Sequence, residues 1–236
     1  MTATELSTFV RDRARHVTDG TDTSSAIEFG APRMHFESAD SWSSLSGCME
    51  WRAELRLSAL DAHGDAPEVI AGAVQFLILR AGYERPSEIL PLYGGHAANF
   101  AELFDEEWLD PELDESDDFT GGMPISTVLA VLDASIDTRV PSDSLLRAWA
   151  LAETVHTMLP TTSGLVVMPA LPTTARPRRR LISTDAIDPD GTRIGCVTIP
   201  GHPSFYGQAT AYVYLEEARQ ELADVRDTPV RITVQD

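Results

Sequence analysis

The sequence predicts an α/β (α+β) fold built about a βαβ unit at residues 126–169. Three observations predict it. Val128, Leu129, Ala130, Val131 and Leu132 form an apolar run without alternation, which is what a strand covered on both faces needs. Leu145, Trp149, Ala152, His156 and Leu159 recur at helical spacing and make one stripe. Gly164, Leu165, Val166, Val167 and Met168 form a second short apolar run. Two buried strands joined by a helix make a right-handed unit with a parallel pair. Ser142 or Asp143 is placed to cap the helix, and Pro160 and Gly164 stop it.

The remaining elements follow in order. Glu5 to Ala14 reads as a short amphipathic helix with Leu6, Phe9, Val10 and Ala14 inward. Residues 18–25 are a loop by composition, and residues 32–42 are irregular or a weak strand. Trp51, Ala53, Leu55 and Leu57 alternate with Arg52, Glu54 and Arg56, so one face is buried and one wet. A turn at residues 61–67, with His63 solvated, leads into a more apolar run at 69–79, and together these read as a hairpin. Residues 97–108 read as a helix with Phe100, Leu103, Phe104 and Trp108 inward, broken by Pro111. Residues 181–199 read as a second hairpin turning at Asp190-Gly191. Residues 201–207 read as a loop, and 208–222 as a helix with Ala211, Leu215, Ala218 and Leu222 on one face. Residues 229–234 are a last strand. The expected organisation is an N-terminal helix and irregular segment over 1–47, then a single domain over 48–236.

The loop between the buried strand and its helix is where chemistry is sought. Backbone N–H groups at a helix N-terminus attract anions, and Arg139 lies just upstream. Spacing alone favours an ordinary connection with Arg139 solvated. With the acidic phrase Phe104-Asp105-Glu106-Glu107-Trp108-Leu109-Asp110 before it, this strand–loop–helix–strand stretch resembles the GNAT family of N-acetyltransferases, and more closely an actinobacterial group of GNAT-like proteins. The resemblance covers roughly residues 48–170. The family's pyrophosphate loop reads roughly Arg-Gly-x-Gly-x-Gly or -Ala. Here Arg139-Val140-Pro141-Ser142-Asp143-Ser144 stands in its place, so the arginine is kept and the glycines are absent. Glycines let a backbone approach a phosphate closely, and Pro141 also removes a donor.

The resemblance implies a mixed, mostly antiparallel central sheet flanked by helices. It implies acetyl-CoA or another acyl-CoA as donor, with a small-molecule or protein amine as acceptor. By similarity Ser135, Ile136 and Asp137 occupy the positions whose backbone groups meet the pantetheine arm, and Arg139, Ser142 and Ser144 face the phosphates. Asp133, Asp137 or a carboxylate of the acidic segment is the candidate base, and Tyr206, Tyr212 or Tyr214 the candidate acid. Each carboxylate and tyrosine taken singly reads more simply as a surface acid or a core phenol. The missing glycines imply a second reading, a protein of this fold without catalysis that acts as a binding or regulatory module.

Composition limits the other classes. The formal net charge is −19, and there is no lysine, so every fixed cation is arginine. Such acidity argues against nonspecific nucleic-acid binding and permits a basic protein partner or a solvated surface. The acids between Glu102 and Asp118 read first as a solvated face, then as a docking surface for a cationic partner, and last as a metal site, because the Asp110, Glu112, Asp114 spacing lacks a calcium loop's glycine and late glutamate. Arg176, Arg178, Arg179 and Arg180 form a basic cluster that either binds phosphate or pairs with those acids. Cys48 and Cys196 make neither a disulfide framework nor a metal site. No apolar run approaches the ~20 residues of a membrane span, and Met1 to Glu5 carries no leader pattern. A cytoplasmic protein without metal is expected, of unknown oligomeric state.

Overall fold

The structure is a computed structural model, and it describes residues 3–18, 26–39, 45–60, 67–114, 117–170 and 188–234. In chain order the elements are β1 (Thr4–Glu5), α1 (Leu6–Thr18), β2 (Ala26–Ser38), β3 (Cys48–Ala59), β4 (Glu68–Arg80), α2 (Pro86–Ile89), α3 (Gly95–Ala98), β5 (Phe104–Asp105), β6 (Trp108–Leu109), α4 (Pro111–Asp114), α5 (Asp117–Thr120), β7 (Thr127–Ile136), α6 (Leu146–Met158), β8 (Gly164–Pro169), α7 (Pro189–Arg193), β9 (Val197–Ile199), β10 (His202–Ala209), α8 (Tyr214–Glu221) and β11 (Val230–Thr233). The architecture is mixed α/β. One nine-stranded sheet runs β11-β2-β3-β4-β7-β8-β10-β9, with β1 added alongside β4. All its pairs are antiparallel except β1 with β4 and β7 with β8.

The βαβ unit lies at the middle of the sheet. Leu129 and Val131 of β7 enter one apolar cluster, while Val128 and Ala130 enter the other. β8 does the same, with Val166 and Met168 on one side and Leu165 and Val167 on the other. That double covering is the reason these runs do not alternate in sequence. α1 and α6 build the first cluster through Leu6, Val10, Ala14, Trp149, Ala152 and Val155. The turn-rich segment 86–125 builds the second through Leu90, Phe100, Leu103, Leu113, Phe119 and Ile125. The sheet is therefore a middle layer.

The first helix and the first hairpin form as expected. Leu6, Val10 and Ala14 are buried, and Phe9 meets Phe29 edge-on at 5.9 Å. β3 pairs with β4 from Cys48↔Leu79 to Ser58↔Glu68, and Ala53, Leu55 and Leu57 are buried, while Trp51 on the same face is only half-buried. The face expected to be wet is not fully so: Glu54 is buried, its carboxylate accepting from Arg56 at 2.9 Å. Its turn at 61–66, with His63, lies outside the described residues. Residues 26–38, which include the first part of the stretch 32–42 expected to be irregular or a weak strand, form a full strand that pairs with β3 and β11, and residues 40–42 lie outside the described residues.

Four local expectations are corrected. Residues 97–108 are not one helix: single turns at Gly95–Ala98 and Asn99–Leu103 give way to the β5–β6 hairpin, closed by Glu106 at φ 53°. Phe100 and Leu103 are buried as expected, whereas Trp108 is exposed and lies over Gly82. Pro111 opens a helical turn rather than ending one. Its missing N–H costs nothing at that position, and the Asp110 carboxylate accepts the Glu112 N–H at 2.8 Å.

The Asp190-Gly191 pair sits inside α7, not in a hairpin turn. Asp188 caps this helix by accepting the Asp190 N–H at 3.2 Å, and Pro189 takes its first position. The hairpin is instead β9–β10, and Gly201 at φ 74° lies in its turn. Residues 202–209, expected as a loop and a helix start, are strand β10. Gly207, Gln208 and Ala209 are buried and paired with Val167, Val166 and Leu165, so sheet pairing overrides helical spacing there. The helix begins only at Tyr214.

Candidate functional site

The parallel ladder between β7 and β8 runs from Thr127↔Gly164 to Ala130↔Val167 and stops. On its other side β7 stays paired with β4 to Ile136↔Gly72, through an irregularity between Val131 and Asp133. The half of β7 beyond Ala130 therefore carries no ladder on the β8 side. A cleft of about 440 Å³ opens at its end, lined by Ser135, Ile136, Asp137, Ser142, Ser144 and Arg147 among others. The walls are the end of β7, the connecting loop and the first turn of α6, with Asp190 of α7 opposite.

Five of the residues expected at a coenzyme site line this cleft: Ser135, Ile136, Asp137, Ser142 and Ser144. Arg139 stands beside it and is engaged elsewhere. Its backbone N–H donates to Asp137 Oδ1 at 2.9 Å, and its guanidinium pairs with the same carboxylate at 3.3 Å. Tyr206 lies on β10, 3 % exposed, with its ring against Gly191 of α7. Burial pushes its phenol well above the usual range, and the neighbouring Asp188 adds to this. Tyr212 and Tyr214 stack on each other at 5.8 Å beside a different, more apolar groove between α6 and α8. Asp133 is exposed on β7, opposite Gln75.

The loop uses much of its own donor capacity. The Arg139 N–H goes to the Asp137 carboxylate, the Val140 N–H to the Asp137 carbonyl at 2.9 Å, and the Ser144 N–H to the Pro141 carbonyl at 3.0 Å. Pro141 has no donor. The α6 cap is Leu145 in the left-handed region at φ 58°, without a side-chain cap bond, so neither Ser142 nor Asp143 caps the helix. The reason is the extra turn closed by Ser144, which leaves Ser142 and Asp143 exposed at its centre. The expected stripe of α6 is likewise broader than one face: Leu146, Ala148, Trp149, Ala150, Leu151 and Val155 are all buried, while His156 is exposed.

Arg147 is the residue that sequence reasoning missed. Its Nε donates to the Ala134 carbonyl at 2.7 Å, on the stretch of β7 past the β8 ladder. Its guanidinium also meets the carboxylates of Asp188 and of Asp190, the latter at 3.0 Å. Burial works against this charge, and the two carboxylates outweigh it, so the guanidinium pKa is raised. Nothing in the spacing marks Arg147, because its partners lie on another strand and on a helix more than forty residues away. Arg176, Arg178, Arg179 and Arg180 lie outside the described residues.

Among the described residues no group of three or more His, Cys, Asp or Glu is placed to hold a metal ion, and no helix is long and apolar enough to cross a membrane. Three of the acids at 102–114 have local duties. Asp114 accepts the Ile125 N–H at 3.0 Å, Asp110 meets His202 at 3.5 Å, and Glu106 meets Arg85 at 3.5 Å. No protein-family model, curated protein or solved structure matches the chain.

Proposed function

We propose that this protein is a GNAT-like N-acyltransferase that moves an acyl group from acetyl-CoA or another acyl-CoA to an amine. The observation that carries the reading is the β7–β8 ladder that ends at Ala130 and Val167 while β7 runs on to Ile136 beside a cleft. In the GNAT family two such strands splay to admit the pantetheine arm, so the geometry agrees with that use. The donors and acceptors of β7 beyond Ala130 suit an extended amide-bearing chain, which pairs with a strand edge as a further strand does.

The fit to a pyrophosphate is narrower. Several loop N–H groups are already used, and no glycine cradles the backbone approach. Phosphate recognition then falls to side chains, of which Ser142, Ser144 and Arg147 line the cleft. When bound, the acyl-CoA supplies the thioester. The chain's residues must hold it, take a proton from the amine and return one to the sulfur as the C–N bond forms and the C–S bond breaks. Asp133 and Asp137 are the carboxylates nearest that end of β7 in sequence. Tyr206 does not line the cleft: it is buried on β10 against Gly191, and burial raises its phenol pKa, which weakens it as a proton donor.

One observation favours the second reading, a catalytically inactive module of this fold whose acidic surface contacts a basic protein. Arg147 occupies the edge of β7 at Ala134, where the arm would pair. Calorimetry with acetyl-CoA and longer acyl-CoAs separates the two. The acyltransferase reading expects binding heat, a raised Tm and thiol release with an amine acceptor. Absence of both heat and thermal shift overturns it.

A further inference from the structure

Arg147 carries one positive charge and faces two carboxylates. The two are not equivalent. Asp188 is 5 % exposed, and its other oxygen accepts the Asp190 N–H as the cap of α7, so it is fixed by the fold. Asp190 lines the cleft, and its side chain is 25 % exposed. A second carboxylate on a guanidinium already paired adds negative charge beside negative charge, and it is the partner that yields most readily. The arginine fork receives carboxylate and phosphate oxygens in the same planar geometry. Arg139 also pairs with a carboxylate, that of Asp137 at 3.3 Å, but unlike Arg147 it does not line the cleft.

We infer that Arg147 is the anion-recognition residue of the β7–α6 cleft, and that the Asp190 carboxylate holds the place of a phosphate until a phosphate-bearing ligand displaces it. The inference rests on the acyl-CoA reading for the identity of the natural ligand, but its chemistry is that of any pyrophosphate. Asp188 keeps α7 capped throughout. Asp190 turns outward, and the ligand oxygen takes its position at Arg147. Asp190 thereby acts as a built-in competitor that sets how much phosphate the cleft needs before it fills.

The test is calorimetric titration of the full chain with inorganic pyrophosphate and, separately, with coenzyme A. The proteins are the wild type, Asp190→Asn and Arg147→Gln, with Arg147→Lys as the milder change if the glutamine variant does not fold. Asp190→Asn is expected to tighten pyrophosphate binding about fivefold, the scale of one partly exposed ion pair. Arg147→Gln is expected to abolish it, and Arg147→Lys to weaken it by losing the fork. If Asp190→Asn binds pyrophosphate no tighter than wild type, or Arg147 can be replaced without loss, the inference is overturned. If pyrophosphate behaves as expected but coenzyme A gives no heat with any variant, the inference stands and the acyltransferase reading fails. If coenzyme A binds wild type and Asp190→Asn equally, the reading stands and the inference fails.

Discussion

The ring of Tyr206 lies so close to Gly191 that a Cβ added there would fall 2.2 Å from its Cε2. The contact seats α7 on β10, and α7 with its cap residue Asp188 supplies the two carboxylates that meet Arg147. Gly191→Ala cannot be accepted without moving the ring or the helix. The expected cost is about 1–3 kcal/mol, read as a lower urea midpoint with an unchanged slope. A midpoint equal to wild type would mean that this packing does not hold α7.

Trp149 is the centre of α6, 2 % exposed, with the Arg226 guanidinium 5.6 Å from its ring and Glu153 pairing with Arg226 at 2.8 Å. Trp149→Ala is expected to cost about 3–5 kcal/mol. In a double-mutant cycle, Arg226→Ala should cost less in the Trp149→Ala background than in wild type, because the two side chains touch. Strict additivity would remove the ring–cation contact from the account.

Both thiols are expected to be unreactive in the native protein. Burial pushes Cys48 up to about 11, against a lowering by Tyr93, and pushes fully buried Cys196 higher still. The thiolate is the reacting form, so a disulfide reagent at neutral pH should label neither until the chain unfolds. Labelling rates should then follow urea concentration. Rapid labelling of either cysteine in the absence of urea would contradict their placement.

Acid should act through Glu84. Its carboxylate loses solvation, but it accepts the N–H groups of Ser46 at 2.9 Å and Gly47 at 2.7 Å, and these bonds hold its pKa below the ordinary 4.5. The folded value lies under the unfolded one, so this contribution is complete above pH 4.5 and is lost as the pH falls through the folded value. Glu84→Gln should flatten that part of the profile. The check is the stability difference between wild type and variant from about pH 6 to about pH 3. It should shrink toward acid, and a constant difference would exclude this role.

The legible parts of the sequence were those where one period dominated. Val128 to Val131 could be read as a doubly buried strand because nothing polar interrupts it, and Trp51 to Leu57 as a half-buried strand because arginine and glutamate alternate with it. The cleft was legible only in outline. Ser135, Ile136, Asp137, Ser142 and Ser144 line it because they are local to the strand and loop, and locality is what a motif records. Arg147 was invisible because its meaning depends on Ala134 of β7 and on Asp188 and Asp190, at the start of α7, arriving together. The helix expected at 208–222 misled because Gln208 and Ala209 obey their neighbour β8 rather than their own spacing, as tertiary pairing overrides local preference.

The placement of β2 has a consequence for biosynthesis. On one side it pairs with β3, which follows soon after it, but its other partner, β11, comes far downstream, with Val230 against Phe29. During translation the flank of Ala26 to Phe29 must wait, hydrogen-bonding groups bare, for the roughly two hundred residues that separate it from β11. A bare strand flank is a template for a neighbouring nascent chain. The interval on the ribosome before β11 emerges is therefore one in which this flank is open to mispairing.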